Sequence, residues 1–176
     1  MRFGLSGYKD VRMTIGYKIG KAALITAAAF LLSPLSAQAE PKITTTVDYY
    51  LVTGATGRAL KDQMKERGPK NLWGYTKWKV RWNRDCKVSV SIRYVLPLLN
   101  SRDLLSDTRL ADWRKMRAAL IRHENGHGQH GINAAREIEA AECKGGKAIT
   151  KKWSTQGAVY DAETRHGRSE GVILPD

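Results

Sequence analysis

The residues whose types and spacing could do chemistry lie in LIRHENGHGQHG, residues 120–131. Within this stretch, His123 and His127 flank Glu124 in the order H-E-x-x-H. Side chains four residues apart share one face of a helix, so both imidazoles can bind one metal ion. Glu124, one step round the helix, then faces a water molecule on that metal. The pattern predicts a zincin site, with two histidines as zinc ligands and Glu124 as the general base.

A catalytic zinc ion needs a third protein ligand and an open position for water. We expect His166, the one histidine outside residues 120–131, because its glycine-flanked turn can fold over the open side of the metal. Asp161 is the alternative ligand, as in the aspzincins, or it orients an imidazole. His130 is separated from His123 by seven residues, about 10.5 Å along a straight helix. It could bind only if the helix broke, so we expect it at the rim of the site, in the outer shell or in solvent.

Several other residues could complete the site. Glu137 and Glu139 could bind the metal from a following helix, although their charged neighbours favour ordinary surface positions. Position 133 is Asn133, which excludes the third histidine of a metzincin. Tyr160 or Arg165 could stabilise an oxyanion. A packed tyrosine and a solvated arginine explain these two residues at least as well.

An apolar stripe leads directly into the H-E-x-x-H motif. Ser106 or Asp107 can cap a helix in which Leu110, Trp113 and Leu120 recur at helical spacing. The same steps continue to the two histidines, so the metal face should extend the buried face and form the floor of a cleft. Glycines at positions 126, 128 and 131 weaken a helix. We expect them to allow close approach of another segment.

The remaining pattern predicts an α+β fold. KITTTVDYYLVT, residues 42–53, predicts a strand. Alternating residues around 76–96, with Trp78 and Trp82 on one face, predict a hairpin, and strand spacing favours core tryptophans over sugar-stacking ones. These strands should form a small antiparallel sheet, packed against a helical half that carries the H-E-x-x-H helix. Further helices are expected at 57–66, from 132 towards 143 and around 149–153, followed by an irregular tail or a short strand.

The first 39 residues have the features of a secretory signal peptide. A basic stretch precedes the apolar run AALITAAAFLL and the small-residue segment SPLSAQA, which predicts cleavage after Ala39. The apolar run is short for a membrane span and Pro34 interrupts it, so no stable membrane insertion is expected after cleavage. Residues 40–176 would then form a single domain, exported to the periplasm or secreted.

Charge and cysteine content agree with export. Lys and Arg total 30 against 17 Asp and Glu. Because the chain is expected to be exported, nucleic acid is not the expected partner, and an anionic envelope surface or solubility explains the excess better. Cys86 and Cys143 are the two cysteines, and in an oxidising compartment an isolated pair usually forms a disulfide. The oligomeric state does not follow from the sequence.

Several spaced motifs together resemble a known family. HENGH, YDAETRHG, GPKNLWGYTKWKVRW and a strand that begins with cysteine resemble a bacterial family of predicted secreted zinc-dependent proteases, domain-of-unknown-function family 922. The similarity runs from about Val47 to Pro175. It implies a small secreted α+β metalloprotease-like domain with His123, Glu124 and His127 in the site. Shared positions without assigned roles are Tyr160, Asp161, Thr164, His166 and Gly167.

The expected function is a secreted or periplasmic zinc endopeptidase that acts on a peptide or protein substrate in the cell envelope. Zinc would polarise the scissile carbonyl and lower the pKa of its water, and Glu124 would carry the proton. Two alternatives are a non-catalytic envelope-binding module with a structural metal and a zinc amidase acting on peptidoglycan peptides. A closed shell of four protein ligands would favour the binding module.

Overall fold

We describe the protein from a computed structural model, in which residues 40–100 and 102–176 are described. The predicted signal peptide, residues 1–39, lies outside the described residues. Strands β1 (Lys42–Val52), β2 (Tyr75–Trp82) and β3 (Val88–Leu99) form one sheet in the order β1-β3-β2. The predicted α+β class and the hairpin are confirmed, since β2 pairs antiparallel with β3.

The predicted direction of the first strand is wrong. β1 runs parallel to β3, with Lys42 opposite Ser89 and Val52 opposite Leu99, so the sheet is mixed rather than antiparallel. Residue periodicity identifies a strand because side chains alternate between two faces, but alternation is the same in both directions. Strand direction depends on the connections, which run from β1 through a helix to β2 at the far edge of the sheet.

The described residues also form three α-helices, which are α1 (Gly57–Arg67), α2 (Asp107–Ala140) and α3 (Gly146–Thr164). Thr56 caps α1 by accepting a hydrogen bond from the amide of Ala59, and Ser106 caps α2 in the same way from Arg109. Short 3-10 turns lie at Pro69–Asn71, Arg102–Leu104 and Arg168–Glu170. Among the described residues, no helix is both long enough and apolar enough to cross a membrane.

Helix α2 differs from the prediction because it does not end after the histidines. It is 34 residues long and runs to Ala140, so the segment expected to form a following, packed helix is the last part of the same helix. Helix α3 is also longer than the short helix expected around 149–153, and it includes Tyr160 and Asp161, which were expected in an irregular tail or a short strand. The full length of α3 was not predicted because its few apolar residues give no clear helical pattern. Packing against α2, rather than intrinsic helix propensity, stabilises it.

Two hydrophobic clusters are arranged along α2. The first joins Val52, Leu60 and Leu96 to the early part of α2, at Trp113 and Met116. The second joins β2 and β3 to the late part of α2, where Ala134, Ala135 and Ile138 are buried, with Trp78 and Trp82 packed against it. The tryptophans of β2 therefore belong to the core, as predicted, and the H-E-x-x-H motif lies between the two clusters.

The two cysteines form the predicted disulfide, Cys86–Cys143. It connects the turn before β3 to the turn between α2 and α3, which places it at the far end of α2 from Ser106. Both cysteines have left-handed backbone conformations, with φ of 53° and 62°. The bridge thus fixes the start of the α2–α3 turn against the sheet.

Candidate functional site

The motif lies on the buried face of α2, as the apolar stripe predicts. His123 and Glu124 keep only 3% and 4% of their surface exposed, and His127 is half-buried. Leu120, one turn earlier, is buried in the first hydrophobic cluster. Burial of two ionisable side chains needs compensating partners, because an unpaired buried charge is strongly unfavourable.

Helix α3 supplies the third member of the group. Asp161 Oδ1 lies 3.2 Å from His123 Nε2 and 3.1 Å from His127 Nε2, and the two Nε2 atoms are 3.3 Å apart. A tetrahedral zinc ion with bonds of about 2.0 to 2.1 Å requires ligand atoms about 3.3 Å apart. His123, His127 and Asp161 are therefore arranged like three corners of such a tetrahedron, and the group could hold a metal ion.

A second carboxylate fixes the ring of His123. Glu170 Oε2 accepts a hydrogen bond from His123 Nδ1 at 2.8 Å. A neutral imidazole that donates from Nδ1 has its lone pair on Nε2. That lone pair points at Asp161 Oδ1, so acceptor atoms face one another unless a proton or a cation lies between them. This arrangement fits a divalent metal, with Glu170 as the outer carboxylate that often supports a metal-bound histidine.

Tyr160 completes the support of His123. Its ring stacks on the imidazole, with centroids 4.9 Å apart and planes at 20°, and its hydroxyl donates to Glu170 Oε1 at 2.8 Å. The tyrosine also lies against the backbone of α2, since a Cβ atom at Gly126 would be 2.7 Å from its hydroxyl oxygen. Tyr160 does not belong to the cavity wall beside the histidines. Its contacts support His123 and Glu170, and its role in stabilising an oxyanion stays a prediction.

The glycines of α2 accommodate aromatic rings, which confirms the predicted close approach of other segments. A Cβ atom at Gly128 would overlap the Tyr94 hydroxyl of β3, and one at Gly131 would lie 2.6 Å from the Trp78 ring. Helix propensity is lost at these positions, and the packing of the rings against bare backbone compensates for it. The unbroken helix also keeps His130 outside the metal group.

Glu124 is held by strand β2. The Thr76 hydroxyl lies 2.6 Å from Glu124 Oε2, to which it donates, and Gly74 packs so closely that a Cβ atom there would be 2.6 Å from Glu124 Oε1. Burial raises the pKa of Glu124 above its ordinary value, against the opposing influence of the Thr76 hydrogen bond and of His123. Burial lowers the pKa of His127, because it disfavours the charged imidazolium. The neutral imidazole that a metal requires is thereby favoured.

The site opens into a cavity of about 540 Å³. One wall is the segment from Lys70 to Trp78, which includes the start of β2, and the other is α3 at Ser154, Gly157 and Ala158. His123, Glu124, His127 and Asp161 all line it. A pocket of this size can contain several residues of an extended peptide, and it matches the usual range for ligand sites.

The remaining predicted residues lie outside the group of three, some beside it and some away from it. His166 lines the cavity and has its Nδ1 3.3 Å from Asp161 Oδ1, but its side chain is 67% exposed and it is not part of the group of three. Its role as the third ligand stays a prediction. Arg165 lines the same cavity. His130 packs against Trp153, and Glu137 accepts hydrogen bonds from Lys152 and Trp153 away from the metal group.

Sequence reasoning missed Glu170 and Thr76 and placed Asp161 second. Asp161 would have ranked first if the sequence had predicted that α2 and α3 form a helix hairpin. A short turn brings together residues that lie at similar distances from it on the two helices. Asp161 lies 15 residues after the start of α3, and the two histidines lie 13 and 17 residues before the end of α2. The sequence around Thr76 shows only the alternation typical of a strand, which does not indicate a contact with Glu124. Glu170 carried no pattern, since it reaches His123 through a turn with left-handed residues on both sides.

Comparison with known proteins assigns the chain to a family. The family described as bacterial protein of unknown function (DUF922) matches residues 47–167. That range is more than half of the chain, so the protein belongs to this family. No curated protein and no solved structure matches the chain. The predicted bacterial family is thus confirmed, and its description carries no activity.

Proposed function

We propose that this protein is a zinc-dependent endopeptidase that is exported to the cell envelope. The observation that carries the proposal is the convergence of His123 Nε2, His127 Nε2 and Asp161 Oδ1, with Glu124 buried beside them. Three ligands and an adjacent carboxylate form the minimal set for metal-assisted hydrolysis. A structural zinc site would instead use a fourth protein ligand.

The chain's own residues divide the work. His123, His127 and Asp161 would hold zinc, which when bound polarises a carbonyl and lowers the pKa of water. Glu124 accepts the proton of the attacking water and returns it to the leaving amine. Burial raises the pKa of Glu124, which helps one carboxyl group to serve as base and then as acid. Thr76 keeps Oε2 of this carboxylate in a fixed position.

The position of strand β2 favours a peptide as the substrate. It is an edge strand, and Tyr75, Thr76 and Trp78 line the cavity beside the site. The free edge of a sheet offers backbone donors and acceptors that an extended peptide can pair with. A peptide bound in this way would pass over Glu124. Arg165 lines the cavity as well and could stabilise the oxyanion that forms at the scissile carbonyl.

The test compares Glu124→Gln with Glu163→Gln, a matched control that alters an exposed glutamate of α3. Zinc content of the purified proteins is measured by elemental analysis, and cleavage of a peptide library is followed by mass spectrometry. We expect both variants to retain zinc. Glu124→Gln should lose cleavage by about 100-fold or more, the usual contribution of general acid–base catalysis, whereas Glu163→Gln should cleave like the unaltered protein.

Two outcomes would contradict the proposal. Full hydrolysis by the Glu124→Gln variant would remove Glu124 from the mechanism. A zinc-loaded protein that cleaves no member of the library would instead favour a non-catalytic envelope-binding module.

A further inference from the structure

Cationic side chains stand around the mouth of the cavity. Lys70, Arg165 and Arg168 all line it, and all three are exposed. Among the described side chains, no carboxylate lies within 4.0 Å of their charged nitrogen atoms, although six other Lys or Arg side chains form such ion pairs. These cations are thus available to a ligand.

The acidic residues of the cavity do not offset this charge. Glu124 and Asp161 are the two carboxylates among the lining residues. Asp161 contacts the two histidines of the candidate metal site, and Glu124, buried next to His123 in the chain, accepts a hydrogen bond from Thr76. A divalent cation in the site would balance their charges. The outer wall of the loaded cavity would then present positive charge alone.

Arg168 is tied to the metal site through its neighbours. It begins the 3-10 turn Arg168–Glu170, whose last residue binds His123 Nδ1. The preceding Gly167 packs so closely on His123 that a Cβ atom there would be 2.9 Å from the ring. The backbone of Arg168 is therefore held at a fixed distance from the candidate zinc ligands.

Lys70 stands on the other wall, in the turn that leads into β2. Lys70 and Asn71 have left-handed backbone conformations, with φ of 56° and 62°, which residues other than glycine rarely adopt. Its ammonium group lies 4.6 Å from the centre of the Tyr75 ring, and both residues line the cavity. Two cations thus line the cavity from two separate segments, each on a constrained turn.

We propose that the cleft selects peptides that carry a carboxylate, with Lys70 and Arg168 as the residues that determine this specificity. The inference rests on the proposed endopeptidase function and adds the class of substrate. The carboxylate can come from an Asp or Glu side chain or from the C-terminus of the peptide. Both sources place a negative oxygen pair within reach of an ammonium or guanidinium group.

The test uses four matched peptides, identical except for glutamate or glutamine at internal positions and a free or amidated C-terminus. Values of kcat/KM are measured for the zinc-loaded protein and for K70Q/R168Q. The control variant, R84Q/K87Q, removes the same charge from exposed residues in the turn between β2 and β3, away from the cavity. Peptide binding is measured separately on each background in the presence of Glu124→Gln.

We expect the unaltered protein to prefer a carboxylate-bearing peptide over its neutral counterpart. In K70Q/R168Q this preference should fall about tenfold, with neutral peptides changed less than about twofold, as expected for two partly exposed charge pairs. The preference should also weaken as salt rises from low ionic strength to about 0.15 M, where the screening length is about 8 Å. R84Q/K87Q should keep the preference.

The outcomes separate the two proposals. Equal cleavage of glutamate and glutamine peptides, with either C-terminus, overturns carboxylate selection and leaves the endopeptidase standing. A preference that survives in K70Q/R168Q, or that is lost equally in R84Q/K87Q, removes the assignment of Lys70 and Arg168. If no peptide is cleaved but the Glu124→Gln protein binds carboxylate-bearing peptides through these two residues, the selection stands and the endopeptidase falls.

Discussion

Glu170 accepts a hydrogen bond from His123 Nδ1 at 2.8 Å across 47 residues of sequence. The same carboxylate accepts from the Tyr160 hydroxyl through its other oxygen. One residue thus fixes both the tautomer of the buried histidine and the aromatic ring stacked on it. Partners of this kind matter because they hold the ligand lone pair on the metal.

The first prediction concerns this contact. Glu170→Gln should lower zinc affinity by about 10- to 100-fold, because loss of an outer carboxylate weakens orientation and basicity of the bound imidazole. Competition with a fluorescent zinc chelator measures the change. Glu163→Gln, on the exposed surface of α3, is the control. Equal affinity in both variants would show that Glu170 does not support the site.

The second prediction separates Asp161 from His166 as the third ligand. Asp161→Ala should reduce zinc affinity more than Glu170→Gln does, since it removes an oxygen 3.1 to 3.2 Å from both histidine nitrogens. His166→Ala should change affinity little, because this side chain is 67% exposed and lies outside the group of three. The reverse ranking, obtained by the same chelator competition, would establish His166 as the ligand.

The sequence predicted the placement of the α2 site residues better than the residues that α2 contacts in other elements. A spacing of four residues is sufficient to place His123 and His127 on one face, and an apolar stripe is sufficient to bury them. Asp161 depends on the helix hairpin, and hence on a length of α3 that its weakly apolar sequence did not indicate. Long-range contacts such as Thr76 to Glu124 leave no local pattern, because they depend on how separate elements pack.

At the glycines of α2, local helix propensity gave a wrong prediction because tertiary packing decides the structure. Positions 126, 128 and 131 weaken a helix by propensity, so a break and a new helix were a reasonable expectation. The helix continues because Tyr160, Tyr94 and Trp78 fill the space that side chains would occupy. Tertiary packing outweighs propensity here, and only the three-dimensional arrangement identifies which ring meets which glycine.

The third prediction tests this packing. Gly128→Ala should destabilise the protein, because overlap with the Tyr94 hydroxyl costs about 1 to 3 kcal/mol, more than the gain of up to about 1 kcal/mol in helix propensity. Urea unfolding measures the free energy. Tyr94→Phe removes the overlapping oxygen, so the same glycine substitution should cost less in that background. An equal cost in both backgrounds would exclude this overlap as the cause.

The fourth prediction concerns Cys86–Cys143, which closes a loop with a sequence separation of 57. Replacing both cysteines with serine should lower the free energy of unfolding by about 4 kcal/mol on the loop-entropy account. Reductant should produce a similar loss in the unaltered protein and none in the double variant, which serves as the control. Unfolding midpoints that coincide with and without the bridge would contradict this expectation.

The continuity of α2 has a dynamic consequence. Its early turns are anchored in one hydrophobic cluster, through Trp113 and Met116, and its late turns in the other, through Ala135 and Ile138. The turn from His123 to His127 lies between these anchors, so it cannot fray from either end. Its backbone amides should exchange hydrogen with solvent only through global opening, at the slowest rates in the domain. The two histidines are thereby part of the last cooperative unit to unfold.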